Sequence, residues 1–366
     1  MFIESVSFEN YRNLVNADFF PSKGINVLYG DNAQGKTNLL EGMWLLTGGR
    51  SFRGAKDREL IQFGQSYAKV KACFRTAQRR HKIEILIQNG KRKAFLNGIP
   101  KDGLSQIIGI FCAVIFSPNH LTLVKNGPEE RRSFIDGALC QIKPSYAVLF
   151  GRYRKILNQR NALLKAIYQN PSLADTLDVW NERLSHEGAL IAQQRYAYLD
   201  RLAALSAQFY DGISDSREKL GLAYQTGYGA ETGMSLEEIQ HLLLKVLKTK
   251  QNEDIVLGYT SRGIHRDDMT VRIDGREARK FGSQGQQRSA VLAMKLAEAS
   301  LLGQAKGESP VIFLDDVLSE LDAARQDYLI HRLHDRQVFI TCCSFDMEAR
   351  NKVHIQNGKM TETEEA

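Results

Sequence analysis

Eight consecutive residues, Gly30-Asp31-Asn32-Ala33-Gln34-Gly35-Lys36-Thr37, fit the phosphate-loop pattern G-x-x-x-x-G-K-[ST] at every fixed position. Glycines let the backbone fold around an anion, so that successive N–H groups point at a β-phosphate. Lys36 would carry charge toward the β- and γ-phosphates, and Thr37 would put a hydroxyl where Mg2+ sits. A glycine-rich turn can match such a pattern by chance, but here the flanks agree with it. Ile25-Asn26-Val27-Leu28-Tyr29 reads as a short strand. Thr37 to Thr47 reads as a helix with Leu39, Leu40, Met43, Trp44 and Leu46 on its apolar side. A nucleotide site at Gly30–Thr37 is therefore expected.

Two later stretches extend this chemistry. Val311-Ile312-Phe313-Leu314-Asp315-Asp316 is an apolar strand that ends in acids, which places them at the carboxyl edge of a sheet beside a phosphate loop. Asp315 is the Mg2+ candidate, and Asp316 is the candidate for orienting the attacking water; the bland alternative is a solvated turn. Ser283-Gln284-Gly285-Gln286-Gln287-Arg288 opens a helix with Ser283 as N-cap. Its free N–H groups and dipole could form a second anion site, or simply a capped helix.

The elements that must position these groups follow from periodicity. Phe2 to Phe8 alternates and reads as a strand, with Phe2, Glu4, Val6 and Phe8 on one face. Further strands are expected at 69–74, 82–87 and 93–96, with Asn89-Gly90 as a hairpin turn. From Pro128, a good first helical residue, the texture is helical. Residues 144–170 and 172–211 predict two long helices paired as an antiparallel arm, and Ser235-Leu236-Glu237-Glu238 is a capping box. Met269 to Ile273 and Arg276 to Phe281 predict a hairpin. Helices over 286–302 and 323–334, strands over 311–314 and 337–341, and a disordered acidic tail over 361–366 complete the reading.

Composition narrows the function class. The chain has 366 residues, a formal charge of +7 and a pI near 9.0, a balance that favours a polyanionic partner. It has no apolar run long enough for a bilayer and no secretory signal pattern, so a cytoplasmic protein without a membrane partner is expected. The five cysteines lack metal spacing and are read as reduced thiols. The basic runs Arg79-Arg80-His81-Lys82 and Lys91-Arg92-Lys93 flank one hairpin. Arg79, Arg80, Lys82, Lys91, Arg92 and Lys93 are candidates for a DNA backbone, or else form a solvated face.

The order phosphate loop, helical insertion, Ser283-Gln284-Gly285-Gln286, Asp315-Asp316 and Ser319-Glu320-Leu321-Asp322 resembles the SMC-like branch of the ATP-binding-cassette ATPases. More specifically, the chain resembles the RecF family of bacterial recombination mediators. The carriers of that likeness are Phe8 to Asn13, Ser51-Phe52-Arg53, Phe116-Ser117-Pro118, Gly127 to Asp136, Gly263 to Asp268 and Asp315 to Asp322. The resemblance implies an α/β fold, an ABC-type P-loop ATPase head whose mixed sheet surrounds the P-loop helix, with an inserted helical lobe. It divides the chain into 1–125, 126–260 and 261–366. It implies ATP and Mg2+ as cofactors, Arg12 and Asn13 near the phosphates, and a homodimer formed on ATP. In that dimer Ser283, Gln284, Gly285 and Gln286, with the D-loop residues Ser319 and Asp322, would close over the partner's nucleotide. It implies DNA, at gaps or single-strand/duplex junctions, as partner, and RecR and RecA loading as context, with roles in replication and the SOS response.

The departures bear on rate. Asp316 stands where transport-type cassettes have Glu, and Cys342-Cys343-Ser344 stands where they have a switch His. Both imply slow hydrolysis, a weak DNA-stimulated ATPase. Ile264 replaces a family proline, and Asn119 is a possible Q-loop residue. His265 to Asp268 are read as a hydrogen-bonded turn rather than a metal cluster. A cassette ATPase without DNA specificity and a nucleotide-gated scaffold are the alternative functions.

Overall fold

Short apolar strands that ignore alternation must be buried on both faces, and they form the centre of this protein. The computed structural model describes residues 1–343 and 351–362. The central sheet has the order β15-β14-β3-β13-β12-β8. Strands β3 (Ile25–Tyr29), β8 (Ala113–Phe116), β12 (Val311–Asp315), β13 (Val338–Cys342) and β14 (Asn351–Gln356) are parallel, and β15 (Lys359–Glu362) runs antiparallel to β14. Phe313 and Phe339 face one core, and Ile312, Leu314 and Ile340 face the other.

The first core is closed by an antiparallel sheet of order β2-β1-β4-β5-β6-β7. It comprises β1 (Phe2–Tyr11), β2 (Leu14–Phe19), β4 (Tyr67–Arg75), β5 (Arg80–Gln88), β6 (Lys91–Leu96) and β7 (Ile99–Lys101). The third sheet has the order β11-β10-β9, with β9 (Leu220–Gln225), β10 (Asp268–Ile273) and β11 (Arg276–Glu277). The helices are α1 (Lys36–Leu45), α2 (Pro118–Leu121), α3 (Pro128–Ile142), α4 (Pro144–Gln169), α5 (Leu177–Ser214), α6 (Leu236–Thr249), α7 (Gln251–Leu257), α8 (Ala278–Phe281), α9 (Gln284–Lys306) and α10 (Ala323–Leu333).

Helix α1 packs its leucines and Met43 into the core between the two large sheets, while α9 and α10 cover the opposite face. Helices α4 and α5 are antiparallel, as the pairs Arg152–Glu187 and Arg160–Asn181 require. Far from standing free, α5 is a central strut that packs on both α6 and α9. The three-stranded sheet joins β9 to β10 across position 261, so the helical lobe continues past that sequence boundary.

Several details differ from the sequence pattern. The register of β1 against β4 shifts between Ile3 and Ser5. That bulge puts Ile3 on the buried face with Val6 and Phe8, and leaves Glu4 outside, where it pairs with Arg75 and Arg80. The expected hairpin of 269–273 with 276–281 forms between β10 and β11, but its second arm is only two strand residues followed by a helical turn. Strands β2, β7, β8, β9, β14 and β15 are not among those the sequence pattern predicts. Residues 363–366 of the acidic tail lie outside the described residues, while Thr361 belongs to β15.

The helical lobe carries buried ion pairs. Arg160 and Asp254 are both fully buried and 2.8 Å apart, with Asn181 and Thr260 completing the set. Arg195 meets Asp136 at 2.8 Å, and Arg131 is bidentate on Asp268. Removing one partner leaves a buried charge. Asp254→Ala should therefore cost about 3–5 kcal/mol, read as a lower urea midpoint.

Candidate nucleotide-binding site

The phosphate loop leaves β3 and enters α1, as its sequence requires. Gly30 (φ +143) and Gly35 (φ +117) take backbone conformations that only glycine adopts readily. A side chain at Gly30 would also strike the carbonyl of Ile355. The Lys36 ammonium turns back onto the loop, donating to the carbonyls of Gly30 and of Asp31, the latter at 3.0 Å. It lies across the mouth of the loop, where phosphate oxygens would replace those carbonyls.

Thr37 Oγ1 donates to Asp315 Oδ1 at 2.8 Å. Residues 278 apart in sequence are thus brought together because β3 and β12 flank β13 in one parallel sheet. A hydroxyl and a carboxylate at this spacing form a donor pair suited to Mg2+, which takes its remaining ligands from phosphate and water. Among the described residues there is no cluster of three or more His, Cys, Asp or Glu to compete for a metal. Thr341, at the end of β13, donates to Asp315 Oδ1 at 3.0 Å and accepts from Asp316 N at 2.9 Å. Burial raises the Asp315 pKa, against the hydrogen bonds from Thr37 and Thr341 that lower it. Asp316 is exposed in the left-handed region (φ +52), a conformation Asp tolerates better than most residues. Ser319 Oγ donates to its carbonyl at 2.8 Å.

Asn13 and Arg12 serve the loop from behind. Asn13 donates to the Gln34 carbonyl at 3.0 Å and accepts from Asn38 at 2.8 Å. The Arg12 guanidinium is committed to Glu41 through two bonds of 3.0 Å, so it is a brace for α1 rather than a free phosphate ligand. Glu41 is fully buried and also accepts from Ser51 Oγ at 2.5 Å and from Tyr11 at 3.3 Å. The 11–13 and 51–53 motifs therefore converge on one carboxylate. The C-terminal hairpin adds a clasp unseen in the sequence. Gly358 N donates to Gln34 O at 2.9 Å and Asn357 N to Gln34 Oε1 at 2.7 Å. Cys343 donates to Asn32 Oδ1 at 3.1 Å; Ser344 lies outside the described residues.

The Ser283 region forms a capped helix start elsewhere in the chain. Ser283 Oγ accepts from Gln286 N at 3.2 Å, and Gln286 Oε1 accepts from Ser283 N at 2.7 Å. Gln286 also reaches Glu218 at 2.6 Å. Ser283, Gly285 and Gln286 line a cavity of about 390 Å3 with Arg217 and Arg325. Asp322 caps α10 through Arg325 N at 3.0 Å and pairs with the Arg325 side chain. Arg288 pairs with Glu320, so the 316–322 segment links Asp316 to the Ser283 helix within one chain. Among the described residues, none of the hydrogen bonds of Ser283, Gly285 or Gln286 reaches residues 30–37.

Other candidates separate. Arg92 is 6% exposed at its side chain, paired with Asp57 at 3.1 Å and bound to the Gly49 carbonyl, and so is withdrawn from any DNA surface. Arg80 pairs with Glu4. Arg79, Arg80 and Lys82 sit at one end of β5, and Lys91 pairs with Gln88 at the other. Lys91 lies opposite Gln88, roughly 26 Å along the strand from Arg80, whereas Lys93 lies opposite Leu86, roughly 13 Å from Lys82. Lys93 is exposed on β6 beside Lys91. Asn119 is exposed and hydrogen-bonds to neither Thr37 nor Asp315. His265 meets Tyr153 at 2.8 Å, and buried Asp267 accepts from Tyr224 and Tyr228, so this segment is a structural turn despite Ile264, which is buried.

Residues 2–364 match the model of the RecF/RecN/SMC N-terminal domain. The chain is 41% identical over 359 residues to the DNA replication and repair protein RecF of Ruminiclostridium cellulolyticum, covering 98% of this chain and 95% of the relative. It is 36% identical over 366 residues to RecF of Bacillus cereus, covering 98% of both. Among solved structures, the recombination mediator protein RecF with ATP superposes at a TM-score of 0.95, with 36% identity, 99% of this chain and 98% of that one. The Smc head domain from Pyrococcus furiosus shares the fold at a TM-score of 0.56 and 14% identity.

The clasp on Gln34 is testable. Gly358 has φ +74, and a Cβ there would collide with the Asn13 carbonyl. Gly358→Val should weaken binding of a fluorescent ATP analogue about tenfold, equivalent to about 1.4 kcal/mol, with unchanged circular dichroism.

Proposed function

The chain belongs to the RecF family, and on that premise we propose that it is an ATP-dependent DNA-binding protein of recombinational repair that dimerises on ATP. The observation that carries the proposal is the separation, within one chain, of a complete phosphate loop and a capped Ser283 helix end. Each is half of a site, and a second copy supplies the missing half. Lys36 and the loop N–H groups bind the phosphates; Thr37 and Asp315 would hold Mg2+, which would supply charge neutralisation to the phosphates. Ser283, Gln284, Gly285 and Gln286, with Ser319 and Asp322, close on the partner's nucleotide.

Asp316 orients the attacking water. Its carboxylate lies one methylene closer to the backbone than that of a glutamate, which favours slow turnover, so hydrolysis serves as a release step. ATP binding then closes the dimer on DNA at a gap or junction. RecR and the RecA-loading machinery are its partners, as befits the RecFOR pathway in which the solved relative is placed. Support of replication and of the SOS response follows at the level of the family. The protein works in the cytoplasm; among the described residues no helix is long and apolar enough to cross a membrane.

Light scattering tests the dimer. Lys36→Ala should weaken ATP binding about a hundredfold and abolish ATP-dependent dimerisation, since charged hydrogen bonds are worth about 1.5–3 kcal/mol each. Ser283→Arg should keep ATP binding and lose the dimer, because a bulky cation enters the second anion site. A Ser283→Arg protein that still dimerises with ATP would refute the composite site.

A further inference from the structure

A shallow groove of about 590 Å3 runs between the loop after α1 and the outer face of α4. Arg50, Gly151, Arg154, Lys155, Asn158 and Gln159 line it, and its lining includes no acidic residue. Every charged or amide side chain there is a hydrogen-bond donor, and three are full cations. Arg50, Arg154 and Lys155 are exposed. None is in an ion pair or side-chain hydrogen bond among the described residues, whereas neighbouring Arg152 is paired with Glu187.

The groove is also built rather than incidental. The Arg50 carbonyl accepts from Trp44 Nε1 at 2.8 Å, and the preceding Gly49 carbonyl accepts from buried Arg92. Ser51 is fixed by Glu41. The backbone that presents Arg50 is thus held at three successive residues, while its side chain is left in solvent. Across the groove, Asn158 and Gln159 lie one turn beyond Arg154 and Lys155 on the same helix face. Gly151 lets a ligand approach the helix closely, with open space where a Cβ would stand. An adjoining cavity of about 550 Å3 shares Arg50 and Arg154 and adds Arg132, with Glu129 and the Arg195-paired Asp136 as its acids.

We propose that this groove seats the sugar-phosphate backbone of DNA, with Arg50 of the ATPase lobe and Arg154 and Lys155 of the helical lobe binding neighbouring phosphates. Guanidinium, ammonium and amide donors suit phosphate oxygens and read no base sequence. The assignment rests on the DNA-binding reading above and locates it. It also gives Arg92 a role: not a DNA ligand, but a positioning residue behind Arg50.

The test is fluorescence anisotropy of the full chain with ATP on a labelled gapped duplex, from about 50 to about 200 mM salt. The triple variant Arg50→Glu/Arg154→Glu/Lys155→Glu should lose about a hundredfold or more in affinity. Its slope of log affinity against log salt should fall by about 2–3, near 0.9 for each phosphate contact. Arg154→Lys/Lys155→Arg should keep the slope, Arg80→Glu/Lys91→Glu should leave affinity unchanged, and all variants should bind the ATP analogue normally. A triple variant with wild-type affinity and slope overturns the groove while leaving DNA binding intact. A wild-type protein that fails to bind the duplex overturns the DNA reading and the groove with it.

Discussion

A single buried carboxylate, Glu41, ties the nucleotide loop to the rest of the protein. It lies on α1, five residues past the phosphate-loop lysine, and is fully buried. A carboxylate taken out of water costs several kcal/mol unless it is paired and hydrogen-bonded. Arg12 grips it through two bonds, and Ser51 and Tyr11 add two more. These partners come from the end of β1 and from the loop after α1. One charge thus fixes the orientation of α1 against the antiparallel sheet and sets the backbone from which Arg50 projects.

A second constraint acts on the loop itself. Gln34 is held from one side by Asn13 and from the other by the turn between β14 and β15. The first strand pair and the last strand pair of the chain meet over a single loop residue. The space between them is so small that Gly358 and Gly35 cannot carry a side chain without displacing Asn13. The geometry of the phosphate loop therefore depends on both ends of the chain being folded.

The same economy appears at the acid edge. Thr341 touches both Asp315 and the backbone of Asp316, so the strand between the two halves of the site orients both acids. From Asp316 the chain passes through Ser319 and Glu320 to Arg288 on the Ser283 helix. A change at the acids has a short covalent and hydrogen-bonded route to the Ser283 helix. In the helical lobe, the strut α5 carries Arg195 into a network with Asp136, Tyr146 and Tyr224 that ties α3, α4, α5 and β9 together.

Much of this was legible in the sequence because it is local. The phosphate loop needs glycine and lysine at fixed spacing, a buried parallel strand needs a continuous apolar run, and a capped helix needs Ser283 and Gln286 three apart. Those rules give the loop, β12 with Asp315 and Asp316, the Ser283 helix and the α/β class. Pairing across long separations carries no such local mark. The clasp of Asn357 and Gly358 on Gln34, the convergence of Arg12 and Ser51 on Glu41, and the joining of β9 to β10 exist only once distant segments are packed. The basic residues make the same point. Arg79 to Lys93 are close in sequence, yet Asp57 neutralises Arg92 and Glu4 pairs with Arg80, whereas Arg50 and Arg154, far apart in sequence, share one groove. Charge is a property of sequence; which charges remain unpaired, and which face one another, is decided by the tertiary structure.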